Sequence, residues 1–67
     1  MCIATVYIDD GKQTEVIMQD VTSVESTQDG LLITNILGED KLLRASIKNI
    51  DFVKHSVALT PDKNSVH

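Results

Sequence analysis

The chain has 67 residues and a mass of 7.4 kDa, enough for one small domain. Its formal net charge of −4 and its scarcity of aromatic residues argue against nucleic-acid binding, which depends on Lys and Arg for phosphates and on aromatic rings for bases. A single cysteine excludes an intrachain disulfide, so a metal ion or a second copy of the chain is left to reinforce so small a fold.

The first half of the chain is predicted to form short strands separated by turns. Residues alternate with a period of two over Cys2–Ile8, which is typical of a half-buried strand. A Gly-containing turn at Asp9–Gly11 follows, and two further strands are predicted over Thr14–Met18 and Asp20–Ser26.

The second half continues this pattern. A tight turn at Asp29-Gly30 leads into Leu31–Leu37, the most apolar run and the expected central strand. Another Gly-containing turn follows at Leu37–Asp40. Beyond it we predict strands around Lys41–Arg44, Asn49–Val53 and Val57–Thr60, with a tight turn at Lys54–Ser56.

A short helix is the competing prediction for residues 39–50. Leu43, Ile47 and Ile50 recur there at helical spacing, and the acidic pair Glu39-Asp40 suits a first helical turn. Pro61 is expected to end the last strand, because proline cannot donate a hydrogen bond to a sheet.

Six or seven short strands in one small chain predict an all-β fold, either a small SH3-like barrel or a strongly bent antiparallel sheet, with room for one helical turn. We expect one domain over residues 1–60 and a flexible polar tail over residues 61–67. No apolar run approaches the roughly 20 residues of a membrane span, and "MCIATVYI" lacks the pattern of a signal peptide. The sequence therefore predicts a cytoplasmic protein, whose thiol stays reduced.

The sequence contains no familiar catalytic motif. A phosphate loop, CxxC, HExxH and GxSxG are all absent, and no His or acid is paired with the cysteine, so the chain is not expected to be an enzyme. The acidic pairs Asp9-Asp10 and Glu39-Asp40 are interpreted as solvated turn charges. His55 and His67 are interpreted as exposed imidazoles without a role.

Cys2 is the candidate for chemistry. If Met1 is retained, the Cys2 thiolate, the Cys2 amide nitrogen and the terminal amine of Met1 would form fused chelate rings. If Met1 is removed, the amine and the sulfur of Cys2 itself would form one ring. Both give the mixed nitrogen and sulfur donors that suit Ni(II) or Cu(II). One such arm supplies two or three donors, and a symmetric dimer would supply the rest. The alternative is that Cys2 simply packs, because free cysteine is among the most buried residue types.

The sequence opens with "MCIA" and continues with an early "DG" turn, "DVTSV", a second "DG" hairpin and the closing "IDFVKHSVAL". Together these motifs resemble the CooT family, small nickel-binding accessory proteins of carbon monoxide dehydrogenase. The resemblance extends from Met1 to about Leu59. It implies a compact homodimer related to SH3-like barrels, with one Ni(II) held between the chains and Cys2 as the essential ligand. It also implies a carrier or store that supplies nickel for maturation of the enzyme's cluster, with that enzyme or its maturation factors as partners.

Two positions depart from the family pattern. Ile3 stands where members have methionine, so no thioether lies beside the thiol. His55 stands in a turn where relatives have a Ser-Gly pair; we interpret it as an incidental surface residue rather than an added weak metal contact.

The alternative function is an RNA- or protein-binding module without metal, since the family has also been described as RNA-binding. A local patch of basic residues would have to offset the acidic average; its members would be Lys41, Arg44, Lys48 and Lys54.

Overall fold

The computed structural model describes residues 3–62, and these form one mixed six-stranded sheet. The strands are β1 (Ala4–Asp9), β2 (Thr14–Thr27), β3 (Gly30–Asn35), β4 (Asp40–Leu43), β5 (Ala45–Asp51) and β6 (Ser56–Pro61). Their order across the sheet is β4-β3-β2-β1-β6-β5. The predicted all-β class is confirmed, and the sheet is strongly bent rather than closed into a barrel.

The pairing of β1 with β6 corrects the prediction of a purely antiparallel sheet. These two strands run parallel, with Val6 opposite Val57, whereas every other neighbouring pair is antiparallel. Because the sheet does not close, β4 and β5 remain as its edges. Closure therefore does not hide the sheet edges in the described chain.

Two of the predicted strands, Thr14–Met18 and Asp20–Ser26, are one continuous strand in the structure. Nothing in Thr14–Thr27 stops a strand, since this segment contains no Gly or Pro. Asp20 has a positive φ of 57°, and the register to β3 shifts between Val21 and Ser23. A bulge of this kind bends a strand without ending it, so the first half of β2 pairs with β1 and the second half with β3.

The competing helix over residues 39–50 is wrong. These residues form β4, Arg44 and most of β5, and no helix occurs anywhere in residues 3–62. Ladders to β3 and β6 satisfy the backbone there, and Ala45 is buried. Tertiary pairing outweighs the helical spacing of the leucine and isoleucine residues.

The core lies where the bend brings β3 against β5. Its buried members come from five of the strands: Val6, Val21, Leu31, Ile33, Ala45, Val57 and Leu59. Ile33, Leu59 and Val6 are completely inaccessible to solvent. The run Leu31–Leu37 thus supplies core residues, but the strand ends at Asn35 and lies second from the edge of the sheet, so the prediction of a central strand is wrong.

At one end of the sheet, β4 leads directly into β5 through Arg44, and two close backbone contacts lie beside this link. We call this region the joined end and define it by Gly30, Leu43, Arg44 and Asp62. Gly30 has a φ of 136°, and a Cβ built on it would collide with the backbone carbonyl oxygen of Leu43. The Asp62 N–H donates to the Arg44 carbonyl at 3.1 Å. Only glycine permits such a close approach of two backbones at this φ.

The last strand ends at Pro61, as predicted, and Pro61 pairs with Ala45. Residues 63–67 lie outside the described residues, so the boundary between domain and polar tail stays a prediction. Residues 3–62 contain no helix that could span a membrane.

Candidate metal centre at the open end

Strand β1 begins beside the start of β6, at the end of the sheet opposite to the joined end. We call this region the open end and define it by Ile3, Ala4 and the β5–β6 turn, residues 52–55. Ile3 and Ala4 are half-buried, and the Thr5 N–H donates to the His55 carbonyl oxygen at 2.9 Å. The two predicted metal ligands, Met1 and Cys2, lie outside the described residues, so their metal role stays a prediction.

A cavity of about 230 Å³ lies at the open end. Most of its wall is apolar, formed by Ile3, Ala4, Ile50, Phe52 and Val57. Its polar wall is formed by Asp51, His55 and Ser56. The first two described residues of the chain, Ile3 and Ala4, thus line the same cavity as Asp51 and His55.

A second cavity of about 170 Å³ shares two lining residues, Ala4 and Val57, with the first. Its remaining wall belongs to the bend of β2, residues 21–24. The first cavity thus lies along β1, β5 and β6, and the second along β1, β2 and β6.

The β5–β6 turn is held by one carboxylate. Oδ1 of Asp51 accepts hydrogen bonds from the N–H groups of Val53 and Lys54, both at 3.0 Å. His55 then adopts a φ of 53°, the left-handed conformation that favours glycine. The predicted turn is therefore real but lies one to two residues earlier than Lys54–Ser56, since Ser56 already belongs to β6.

The acidic pair Asp9-Asp10 stabilises the β1–β2 turn, in keeping with its interpretation as turn charge. Oδ1 of Asp9 accepts from the Gly11 N–H at 2.9 Å, and Oδ1 of Asp10 accepts from the Lys12 and Gln13 N–H groups. These backbone hydrogen bonds lower the pKa of both carboxyl groups below their ordinary value of 3.8. The second cause of the lowered pKa of Asp9 is Lys48, whose Nζ lies 3.0 Å from Oδ2 of Asp9.

Asn35 organises the β3–β4 turn, and sequence reasoning missed it. Its Oδ1 accepts from the N–H groups of Leu37 and Glu39, and its Nδ2 donates to Oε1 of Glu39 at 2.8 Å. Asn35 is the buried polar side chain among the described residues. Its position at the end of an apolar run before a Gly-containing turn was a usable signal, because Asn commonly caps such turns. Glu39 thus has a structural partner here.

Three of the four basic residues of the alternative function have acidic neighbours. Lys48 is paired with Asp9. Lys41 shares a surface cavity with Asp20, Glu39 and Asp40, and Arg44 shares another with Asp29 and Asp62. These neighbours offset the positive potential that phosphates would require. The RNA-binding alternative stays a prediction, and nothing in the described chain favours it.

No group of three or more His, Cys, Asp or Glu side chains arranged to hold a metal occurs among residues 3–62. At the open end these residues contribute two potential donors, Asp51 and His55, to one cavity.

Comparison with known proteins agrees with the resemblance. The family model described as CO dehydrogenase accessory protein CooT matches residues 1–60. A crystal structure of a candidate CooT from Carboxydothermus hydrogenoformans superimposes with a TM-score of 0.88 and 32% sequence identity, over 92% of this chain and all of that chain. No curated protein matches the chain.

Proposed function

The chain belongs to the CooT family of CO dehydrogenase accessory proteins, and from that premise we propose that it binds Ni(II) and carries or stores it for such an enzyme. The main observation in support of this proposal is the family match over residues 1–60, because this match includes Cys2. Nickel is the cargo of such a protein and leaves it again, so the chain itself acts without catalysis. Its partners are the nickel enzyme or the factors that mature it.

Cys2 is the proposed principal ligand, together with the terminal amine of Met1. Thiolate and amine are the mixed donor set that suits Ni(II), although Cu(II) would bind more tightly on raw preference. Selectivity must then come from geometry and from which metal is available. Both ligands shed a proton before they bind, so affinity should fall as the pH falls. A reducing cytoplasm would keep the thiol ready.

A homodimer is the proposed working form, with the open ends of two chains facing each other. Exposed apolar side chains support this arrangement: Phe52 is 81% exposed, Val53 90% and Ile50 44%. Contiguous exposed apolar residues are typical of interaction surfaces. A twofold axis near these residues would bring two copies of Cys2 together and complete a four-donor set.

The test is a titration of Ni(II) into the full-length chain and into Cys2→Ser, both kept reduced, followed by native mass spectrometry. We expect the wild type to bind one Ni(II) per dimer and Cys2→Ser to lose at least about tenfold in affinity, since removal of a ligand costs at least as much as disturbance of its supporting shell. Equal affinity of the two proteins would contradict the proposal. The mass spectra also report the dimer and whether Met1 is retained.

A further inference from the structure

The first half of β2 has a free edge. Along residues 14–19 this strand pairs with β1 on one side, whereas β3 pairs with it only from Val21 onward. Within residues 3–62 no strand pairs with the other side of this segment. Its backbone N–H and C=O groups on that side are therefore open to an added strand. The segment also contains no proline or lysine, which proteins commonly use to block such an edge.

A cavity of about 540 Å³ borders this edge. Ile17 and Met18 line it from β2, and Leu37 lines it from the β3–β4 turn. Leu37 is 80% exposed, although turns mostly carry polar residues and glycine. The buried Asn35 fixes this turn, because its Oδ1 accepts from the Leu37 and Glu39 N–H groups at 3.0 Å. A rigid turn thus presents an apolar side chain beside an unpaired strand.

The charges around this cavity are mostly negative. Asp20, Glu39 and Asp40 line it, and among the described lining residues Lys41 is the only basic one. The chain as a whole carries a formal net charge of −4. Surfaces that associate commonly carry complementary charge, so the cavity favours a cationic partner.

We propose that this groove, defined by residues 14–20 and 35–41, binds an extended basic segment of a partner protein. The segment pairs through its backbone with residues 14–19 and adds a strand to the sheet. Alternate apolar side chains of the segment fill the apolar part of the cavity, and its lysine or arginine side chains meet Asp20 and Asp40. The inference goes beyond nickel binding and does not depend on it, because no residue of the groove belongs to the candidate metal centre.

The experiment uses the ¹⁵N-labelled full-length chain without metal, in low salt. The probe is an acetylated and amidated nine-residue peptide in which lysine alternates with valine. Of two control peptides, one has glutamate in place of lysine. The other has an N-methyl group on every second backbone nitrogen, which removes donors that an added strand needs.

Chemical-shift titrations with the lysine peptide compare the wild type with Leu37→Ser and with a double variant, Asp20→Asn with Asp40→Asn. Asparagine tolerates the positive φ of Asp20, and Leu37 is exposed, so these changes retain the fold. The matched control removes two exposed acidic charges outside the groove, by Glu25→Gln with Asp29→Asn.

We expect the lysine peptide to shift the amide signals of residues 14–20 and 35–41, and the control peptides to leave them unmoved. Leu37→Ser and the Asp20/Asp40 variant should each weaken binding by about threefold or more, because they remove apolar and charged contacts. The matched control should bind like the wild type.

Four outcomes would overturn the proposal. They are the absence of localised shifts in the wild type, equal binding of either control peptide, wild-type affinity in both groove variants, and an equal loss in the matched control. Shifts of residues 14–20 that depend on protein concentration without peptide would assign the groove to a second copy of the chain, and would also overturn it. Loss of nickel binding in Cys2→Ser would leave it unaffected.

Discussion

The joined end and the open end of this sheet differ in how closely their strands and side chains pack. At the joined end, backbone lies directly against backbone, with Gly30 at the Leu43 carbonyl and the Asp62 N–H on the Arg44 carbonyl. At the open end, two cavities share the lining residues Ala4 and Val57. Both ends belong to one core, yet only one of them is closely packed.

The two ends of the sheet therefore differ in backbone conformation and in the exposure of their side chains. Gly30 at the joined end places no side-chain atom between its own backbone and that of Leu43, so the two backbones pack directly against each other. The open end has a residue with a Cβ, His55, at a left-handed φ, and leaves Phe52 and Val53 largely exposed. Strained residues and exposed apolar side chains are common where a protein binds something.

Substitution of Gly30 by alanine is expected to have the largest effect on stability, because it tests the close packing at the joined end. The new Cβ would collide with the Leu43 carbonyl oxygen, and alanine also disfavours the φ of 136°. We expect a loss of about 3 kcal/mol in the free energy of unfolding, from overpacking and left-handed strain together. Urea denaturation measures this loss, which is a large share of the stability of so small a domain.

Gly38→Ala is the matched control for the joined end. Gly38 also has a positive φ, of 84°, but no atom lies within 4 Å of the position of its Cβ. Only the left-handed strain applies there, so we expect a loss of about 1 kcal/mol. Equal losses in the two variants would mean that close packing at the joined end is no more important than local backbone conformation.

The sequence predicts the local elements of this fold better than their arrangement. Alternating residues and Gly-containing turns indicate the strands, because these signals are short-range. The bend in β2 at Asp20, the parallel pairing of β1 with β6 and the collision space at Gly30 all depend on residues distant in the chain. No local pattern encodes them, so the open sheet could only be found in the structure, whereas the absence of Gly and Pro from Thr14–Thr27 is a local signal that β2 is continuous.

The same limit applies to the candidate site. Cys2 is recognisable from the sequence, because it lies next to the terminal amine and within the "MCIA" motif. His55 is separated from it by more than fifty positions, and only the pairing of β1 with β6 brings its turn beside Ile3.

A smaller effect on stability is expected at the open end, from substitution of His55. His55→Gly should raise the free energy of unfolding of the metal-free protein by about 0.5 kcal/mol, since glycine relieves the left-handed strain at some cost in chain entropy. Its control is Lys54→Gly in the same turn, where the φ is not positive. There we expect a loss of about 0.5 kcal/mol. Urea midpoints that fall equally for both variants would contradict the idea that His55 is strained.

The smallest predicted effect concerns the Asp9–Lys48 ion pair, which lies at the end of β1 away from Ile3. Lys48→Ala should leave the urea midpoint at pH 7 almost unchanged, because exposed ion pairs contribute little. In a carbon-13 NMR titration, the pKa of Asp9 should rise but stay below 3.8, since the Gly11 N–H is the larger cause of its depression and Lys48 the second.

The sign of the accompanying pH effect follows from these directions. The folded pKa of Asp9 and of Asp10 lies below the ordinary 3.8, so each carboxylate stabilises the fold above that pH and loses its contribution as the pH falls through the folded value. Lys48→Ala should therefore weaken this acid dependence without removing it. A pKa of Asp9 that returns fully to 3.8 in the variant would show that the lysine, rather than the backbone of the turn, holds this carboxylate. Backbone contacts would then be less important for the β1–β2 turn than they are at the joined end.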